Sequence, residues 1–150
     1  MSDLKDRLRA DLTTAMKSRD ELRTATLRMV LAAVSAEEVA GKEARELSDD
    51  EVLAVLRREA KRRREAAEAF DGAGRAEQAG RERAEGEVVA AYLPAQLDDA
   101  DLAAIVADAI TRTGASGMKD MGRVMGAANA AVAGRAEGAR VAAEVRRQLG

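Results

Sequence analysis

The segment "SDDEVLAVLRREAKRRREAAEAFDGAG", residues 48–74, gives the clearest indication of the fold class. Ser48 followed three residues later by Glu51 is the capping-box pattern that begins an α-helix. Apolar residues then recur at the spacing of one helical face, and the glycines of "DGAG" end the pattern. The expected buried residues are Leu53, Leu56, Ala60, Ala67 and Phe70. The segment therefore predicts a long amphipathic helix.

The composition of the whole chain agrees with this local pattern. The 150 residues include one proline, no tryptophan, and only two aromatic residues, Phe70 and Tyr92. No segment alternates β-branched and polar residues as a half-buried strand does. A core of Leu, Val, Ile, Met and Ala packs well between helices. We therefore expect an all-α protein.

Three further helices are predicted on either side of this segment, giving an N-terminal domain of about four helices over residues 1–93. The first helix has an apolar stripe of Leu4, Leu8, Leu12 and Met16. The second has one of Leu22, Thr26, Met29, Val30, Ala33 and Val34, and Gly41 is its expected end. The fourth runs from about Arg75 to Leu93. Its first half offers little to bury, so we expect that half to protrude or to be mobile.

The only proline lies in "LPAQLDD" and marks a domain boundary, because Pro94 cannot extend the preceding helix. We expect a linker at 94–98 and a small three-helix domain at 99–150. Aspartates at 98, 99 and 101 suit the start of its first helix. Gly114 is expected to end that helix and Ser116 to cap the next. Gly134 is expected to separate the last two helices and to leave Arg135 at an exposed corner.

The stretch "GMKDMGRVMGAANAAVAGRAEG", residues 117–138, combines glycines with cations and so raises the question of a phosphate-binding loop. Such a loop needs a preceding strand and a closing Gly-Lys-Ser/Thr, and both are missing. Gly122 and Gly126 instead fall four apart on one helical face, with methionines on the neighbouring flank. The pattern favours tight helix packing within the small domain.

The sharpest charge anomaly is "RREAKRRRE", residues 57–65, with six cations among eight consecutive residues. Arg57, Lys61 and Arg64 line one flank of the predicted helix. Arg63 falls on the edge of the apolar stripe, where we expect its head group to reach water. Ion pairs on an exposed helix would explain the cluster, and so would a surface that binds a nucleic-acid phosphate backbone. Both interpretations stay open at this point.

The residue inventory argues against catalysis. Without histidine or cysteine the chain lacks the commonest general base, the commonest metal ligand and any thiolate. The remaining carboxylates and hydroxyls stand in no distinctive setting, so we nominate no catalytic residue, cofactor or metal. The start, "MSDLKDRLRADL", lacks the apolar run of a signal peptide, and no segment is long and apolar enough to span a membrane. We expect a cytoplasmic protein.

Three segments together resemble the GatB/YqeY family, in particular its freestanding YqeY-like members. They are "VLRREAKRRREAAEAFDGAGRAE" at 55–77, "YLPAQL" at 92–97 and "GASGMKDMGRVMGAANAAVAGRAEGARV" at 114–141. The resemblance implies a larger helical domain followed by a domain similar to the tail of the B subunit of the glutamine-dependent tRNA amidotransferase. In that enzyme the tail is understood to touch the outer corner of the tRNA, and the kinase and amidase chemistry lies elsewhere.

The resemblance and the charge cluster together suggest a non-catalytic, tRNA-binding-type accessory protein. The candidate nucleic-acid-binding residues are Arg57, Arg58, Lys61, Arg62, Arg64, Lys119, Arg123, Arg135 and Arg140. One alternative is a protein–protein interaction module that docks through the face of Gly122 and Gly126. Another is a contributor to amidation of Glu-tRNA or Asp-tRNA as part of a complex.

Overall fold

The structure, a computed structural model, describes residues 2–150, and over these residues it is all-α, as predicted. The helices are α1 (Asp3–Lys17), α2 (Glu21–Glu38), α3 (Asp49–Gly72), α4 (Ala76–Ala90), α5 (Asp99–Thr113), α6 (Met121–Val132) and α7 (Gly138–Leu149). A single 3₁₀ turn, Met118–Asp120, precedes α6. The helices form two compact units that divide between Leu93 and Pro94.

The first unit contains α1 to α4 around an aliphatic core. Fully buried side chains come from every helix of the unit and from Leu47 in the loop before α3: Leu8, Leu27, Val30, Val34, Leu47, Val52, Val55, Leu56 and Val89. Burial of such a side chain contributes about 1.5–3 kcal/mol, so this core is the main stabilising element of the unit. The most extensive helix packing is between α3 and α4, which form an antiparallel hairpin.

The start of α3 confirms the predicted capping box. The Ser48 hydroxyl accepts a hydrogen bond from the Glu51 backbone N–H, and the Glu51 carboxylate accepts one from the Ser48 backbone N–H. Arg45 also binds the Glu51 carboxylate, and this bond is the main reason that the pKa of Glu51 falls to about 2. The carboxylate therefore stays charged near the positive end of the α3 dipole.

Details of the predicted faces in this unit are wrong in several places. Val52 and Val55 are more deeply buried than Leu53, and Phe70 is only partly buried. Helix α2 ends at Glu38, before Gly41. Two methionines predicted on apolar stripes, Met16 and Met29, are exposed. The buried arc of each helix is set by the position of its neighbours, which spacing along one helix cannot specify.

The first half of the fourth helix packs against α3 and does not protrude, so that prediction is wrong. Ala79 is completely buried, and Glu85 is buried as well. A Cβ atom built on Gly86 would lie 3.6 Å from Cβ of Arg63, which shows how closely the two helices approach. Small side chains on α4 therefore permit close packing where large apolar ones are missing.

The second unit contains α5, α6 and α7 around Leu102, Val106, Val124, Ala128, Val132, Val141 and Val145. Asp98 caps α5 by accepting a hydrogen bond from the Asp101 backbone N–H, as expected for an aspartate at this position. Gly114 ends α5 in the left-handed conformation with φ of 66°, as predicted. Ser116 does not cap the following helix. Its backbone N–H instead donates to the Asp120 carboxylate.

The glycine face of α6 is also different from the prediction. Gly122 and Gly126 are exposed. A Cβ atom added to either glycine would have no neighbour within 4 Å among the described residues outside its own stretch of helix. Val124, Ala128 and Val132 form the buried face instead. The two glycines therefore play no part in packing α6 within its own unit.

Candidate functional site

Four of the six cations in residues 57–64 of α3 are exposed to solvent. Three of them have side chains that are more than half exposed: Arg58, Lys61 and Arg62. Because residues three and four apart share a helical face, these side chains form a patch about one turn long. We call Arg58, Lys61 and Arg62 the α3 cationic patch.

Each member of the α3 cationic patch faces a carboxylate at moderate distance. Arg58 lies 3.2 Å from Glu37 of α2. Lys61 lies 3.9 Å from Glu65, and Arg62 lies 3.4 Å from Glu59. Exposed pairs of this kind stabilise a protein by about 0–1 kcal/mol. The cations can therefore exchange these partners for another anion at little cost.

Arg57 and Arg64 lie next to Lys61 on the side of α3 away from Arg58 and Arg62. Arg57 is half-buried, and its Nε is buried without a hydrogen-bond partner in residues 2–150. Arg64 is exposed and lines a groove between α3 and α4. The predicted row of Arg57, Lys61 and Arg64 thus follows one flank, but its members differ in their access to solvent.

Arg63 differs most from expectation, because its side chain is only 12% exposed. Its guanidinium lies 3.4 Å from a Glu59 oxygen, 3.3 Å from a Glu85 oxygen and 3.7 Å from a Glu82 oxygen. The carboxylates of Glu59 and Glu85 are as strongly buried as the guanidinium. We call these four residues the Arg63 cluster. It joins α3 to α4 by charge as well as by packing.

Three of the four candidate cations of the second unit bind main-chain carbonyl groups. Arg135 donates to the carbonyl oxygens of Ala131 and Val132, at 2.9 Å each, at the end of α6. Arg140 donates to the Leu97 carbonyl at 3.0 Å and to the Asp99 carboxylate. These bonds fix the helix end and the segment before α5, so the side chains have structural roles.

The two remaining candidates of this unit are more exposed. Arg123 donates to the Thr113 carbonyl at 3.1 Å and pairs with Asp120 at 2.7 Å, and its side chain is 60% exposed. The pKa of Asp120 is lowered by the Ser116 backbone N–H and then by Arg123, so this pair is charged at neutral pH. Lys119 is exposed in the 3₁₀ turn. Arg135 lies in the turn between α6 and α7, as predicted, but it is half-buried rather than exposed, whereas Lys119 and Arg123 face solvent.

The described part of the chain has neither a metal site nor a membrane-spanning helix. In residues 2–150 no group of three or more carboxylates has the arrangement needed to hold a metal ion. No helix in this range combines the length and apolar character required to cross a bilayer.

Comparison with protein families identifies the chain. The family of YqeY-like proteins matches residues 5–149. The chain belongs to the YqeY-like family. No curated protein matches it. The match covers both units of this YqeY-like chain, including the α3 cationic patch and the turn that carries Lys119.

Sequence reasoning missed the Arg63 cluster, although one signal for it was present. Arg63 lies seven residues after Leu56 and seven before Phe70, which places it within the inward-facing stripe of α3. The chemical type of the residue suggested an exposed position, and its spacing indicated a buried one. The carboxylates on α4 that resolve this conflict are far away in sequence.

Proposed function

We propose that this YqeY-like protein is a non-catalytic accessory protein that binds tRNA through the exposed cations of α3. The observation that carries the proposal is the α3 cationic patch, three largely exposed cations within five residues of one helix. Two of their carboxylate partners, Glu37 and Glu65, are exposed, and the third, Glu59, is held by Arg63 as well. A phosphate backbone can replace them, and affinity then falls as salt rises.

The aromatic residues favour recognition of the RNA backbone over recognition of bases. Tyr92 is buried, its hydroxyl donates to the Asp11 carboxylate, and Arg7 lies 4.9 Å from its ring centre. Burial, followed by the bond to Asp11, raises the pKa of Tyr92 to about 12. Tyr92 is therefore committed to holding α1 against the end of α4. Base stacking needs an exposed aromatic face, which Tyr92 does not offer and the half-buried Phe70 offers only in part, and this supports recognition through shape and phosphate contacts.

The second unit contributes less to the proposed surface than the family resemblance implies. Substitution of Arg135 or Arg140 would remove bonds to main-chain carbonyls and disturb the fold. Lys119 and Arg123 remain as candidates for contact with RNA. Lys119→Glu is the cleaner test, because Arg123 also holds the end of α5 through the Thr113 carbonyl.

The test is a titration of labelled bulk tRNA with the full chain at low and at physiological salt. The wild type should bind at low salt and release at higher salt. The triple variant Arg58→Glu, Lys61→Glu, Arg62→Glu should lose binding, since each change replaces an attraction to phosphate by a repulsion.

A matched control changes the net charge equally at other sites. Arg23, Arg112 and Arg147 are exposed and each pairs with a carboxylate three or four residues away, as Lys61 and Arg62 do. Their replacement by glutamate should leave most of the binding intact. Absence of binding by the wild type at low salt, or equal loss in both triple variants, would remove the proposal. Amidation of Glu-tRNA by the isolated chain would contradict its non-catalytic part.

A second candidate function, docking of a helix of another protein on α6, is favoured by the open glycine face. Glycine in a helix interior costs about 1 kcal/mol relative to alanine, and nothing within the described chain packs on Gly122 or Gly126. The double variant Gly122→Ala, Gly126→Ala should keep the fold. Retention of a protein by the wild type, and its loss in this variant, would support docking.

A further inference from the structure

A groove of 390 Å³ runs along the α3–α4 hairpin on the flank of Arg64. Small residues of both helices line it: Ala60 and Ala67 from α3, Gly86 and Ala90 from α4. Ala67 is buried, Ala60 and Gly86 are partly exposed and Ala90 is exposed. Small residues allow another helix to approach closely, so the groove has the form of a helix-docking surface.

Charged residues on the two rims of the groove follow one pattern. On α3, Arg64 is followed one turn later by Glu68. On α4, Arg83 is followed one turn later by Glu87. Each rim thus presents a cation and then an anion, read in the direction of its own helix.

The antiparallel packing places opposite charges across the groove. Arg63 abuts Gly86, so the neighbouring Arg64 lies at the level of Glu87. Asp71 pairs with Arg83, and Asp71 and then Glu68 raise the pKa of Arg83, so Glu68 lies on the same side of the groove centre as Arg83. These four charges therefore alternate in sign around the small-residue floor, and the fifth charged lining residue, Glu82, is largely buried beside Arg63.

This alternation is self-complementary. A two-fold axis parallel to the helices brings Arg64 opposite the partner's Glu87 and Glu68 opposite the partner's Arg83. An axis across the helices brings Arg64 opposite the partner's Glu68 and Arg83 opposite the partner's Glu87. Closed two-fold dimers require a surface patch that matches itself, and this one does so under either axis.

We propose that the α3–α4 groove binds the same groove of a second copy of the chain. Nucleic acid is a poor occupant, because the carboxylates of Glu68 and Glu87 stand beside the two arginines and repel phosphate. Arg58 and Arg62 of the α3 cationic patch lie on the other flank of α3, and Lys61 lies between them and Arg64. None of the three lines the groove, so the dimer surface and the RNA surface proposed above share no residue.

The experiment uses two oppositely charged variants of the full chain in analytical ultracentrifugation. The acidic variant is Arg64→Glu, Arg83→Glu, and the basic variant is Glu68→Arg, Glu87→Arg. The wild type should sediment at twice the chain mass of 15.9 kDa, and each variant alone at the single-chain mass. A mixture of the two variants should recover the dimer mass, because each now complements only the other.

The control is Arg58→Glu, Arg62→Glu, which makes the same charge change as the acidic variant on the opposite flank of α3. It should remain dimeric, and all three variants should match the wild type in helical content. A wild type that sediments as a single chain at every concentration would overturn the proposal. A dimer that survives in both groove variants would also overturn it. A single-chain wild type that captures another protein, and loses it in the groove variants, would assign the groove to a different partner.

Discussion

Replacement of Arg63 by leucine tests whether charge in the Arg63 cluster holds α4 on α3. The substitution keeps the volume of the inner part of the side chain but removes the only buried guanidinium beside the three carboxylates. Arg62 and Arg81 reach Glu59 and Glu85 with side chains that are largely exposed. Glu59 and Glu85 have side chains only 9% exposed, and Glu82 is 22% exposed. They would face one another with little access to water.

The expected loss follows from that burial. Removal of one partner from a buried ionic network costs about 3–5 kcal/mol, because the remaining charges are left uncompensated. For a unit of this size each kcal/mol lowers Tm by about 4–8 °C, so Tm should fall by at least about 10 °C. Arg62→Leu is the matched control, since Arg62 binds Glu59 from the solvent side with a side chain 71% exposed. It should cost less than about 1 kcal/mol.

The pH dependence distinguishes lost charge pairing from lost packing. In Arg63→Leu the carboxylates of Glu59, Glu82 and Glu85 lose their buried cation and repel one another when charged. Protonation of any of them removes part of this repulsion and so stabilises the folded variant. Urea unfolding followed by circular dichroism gives the free energy of unfolding at about pH 7 and about pH 5. The difference between wild type and variant should be smaller at the lower pH.

A compensating variant completes the test. When Arg63, Glu59 and Glu85 are all changed to leucine, most of the buried charge is gone and much of the lost stability should return. Arg63→Leu with wild-type stability would refute the reasoning. If Arg63→Leu loses the same free energy of unfolding at both pH values, the substitution has removed packing and not charge pairing.

Three further predictions concern stability and can be measured by thermal or urea unfolding. Gly122→Ala and Gly126→Ala should each stabilise the fold by up to about 1 kcal/mol, and any clear destabilisation would contradict their open environment. Ala133→Gly should stabilise by about 1 kcal/mol, because Ala133 ends α6 with φ of 50°, and a loss would be inconsistent with strain there. The hydrogen bond from Lys5 lowers the pKa of Glu38 from its usual value of 4.5, so the charged carboxylate stabilises the folded state above that pH. This stabilisation disappears as the pH falls through the lowered pKa. Glu38→Gln should remove this part of the acid dependence, and an unchanged pH profile would speak against it.

Local signals in the sequence predicted most helix boundaries. The capping box at Ser48, the aspartate cap at Asp98 and the left-handed glycine at Gly114 depend on a few neighbouring residues, and the structure has all three. The all-α class followed in the same way from spacing and from the shortage of aromatic residues. Such features are encoded within one turn of a helix, so a single sequence is enough to recognise them.

Features that depend on distant partners could not be predicted. The burial of Ala79 requires α3 as a neighbour, and the solvent position of Gly122 requires that α5 and α7 pack on the opposite face of α6. Both residues are small, and small residues are compatible with close packing and with exposure. Spacing alone therefore left the direction of each face open.

The candidate site shows the same division. The exposed position of Arg58, Lys61 and Arg62 follows from the periodicity of α3. The roles of Arg135 and Arg140 do not, because they depend on main-chain carbonyl groups presented by a helix end and by the segment at Leu97. A cation in a charge-rich sequence can be a ligand-binding group or a cap, and only its partners distinguish the two.

The salt dependence of tRNA binding tests the central claim most directly. If Arg58, Lys61 and Arg62 contact phosphates, the logarithm of the affinity should fall linearly with the logarithm of the salt concentration, with a slope of about −2 to −3. Lys61→Gln should reduce the size of that slope by about one, and Arg112→Gln on α5 should leave it unchanged. An affinity independent of salt, or a slope that responds to Arg112 and not to Lys61, would contradict the account.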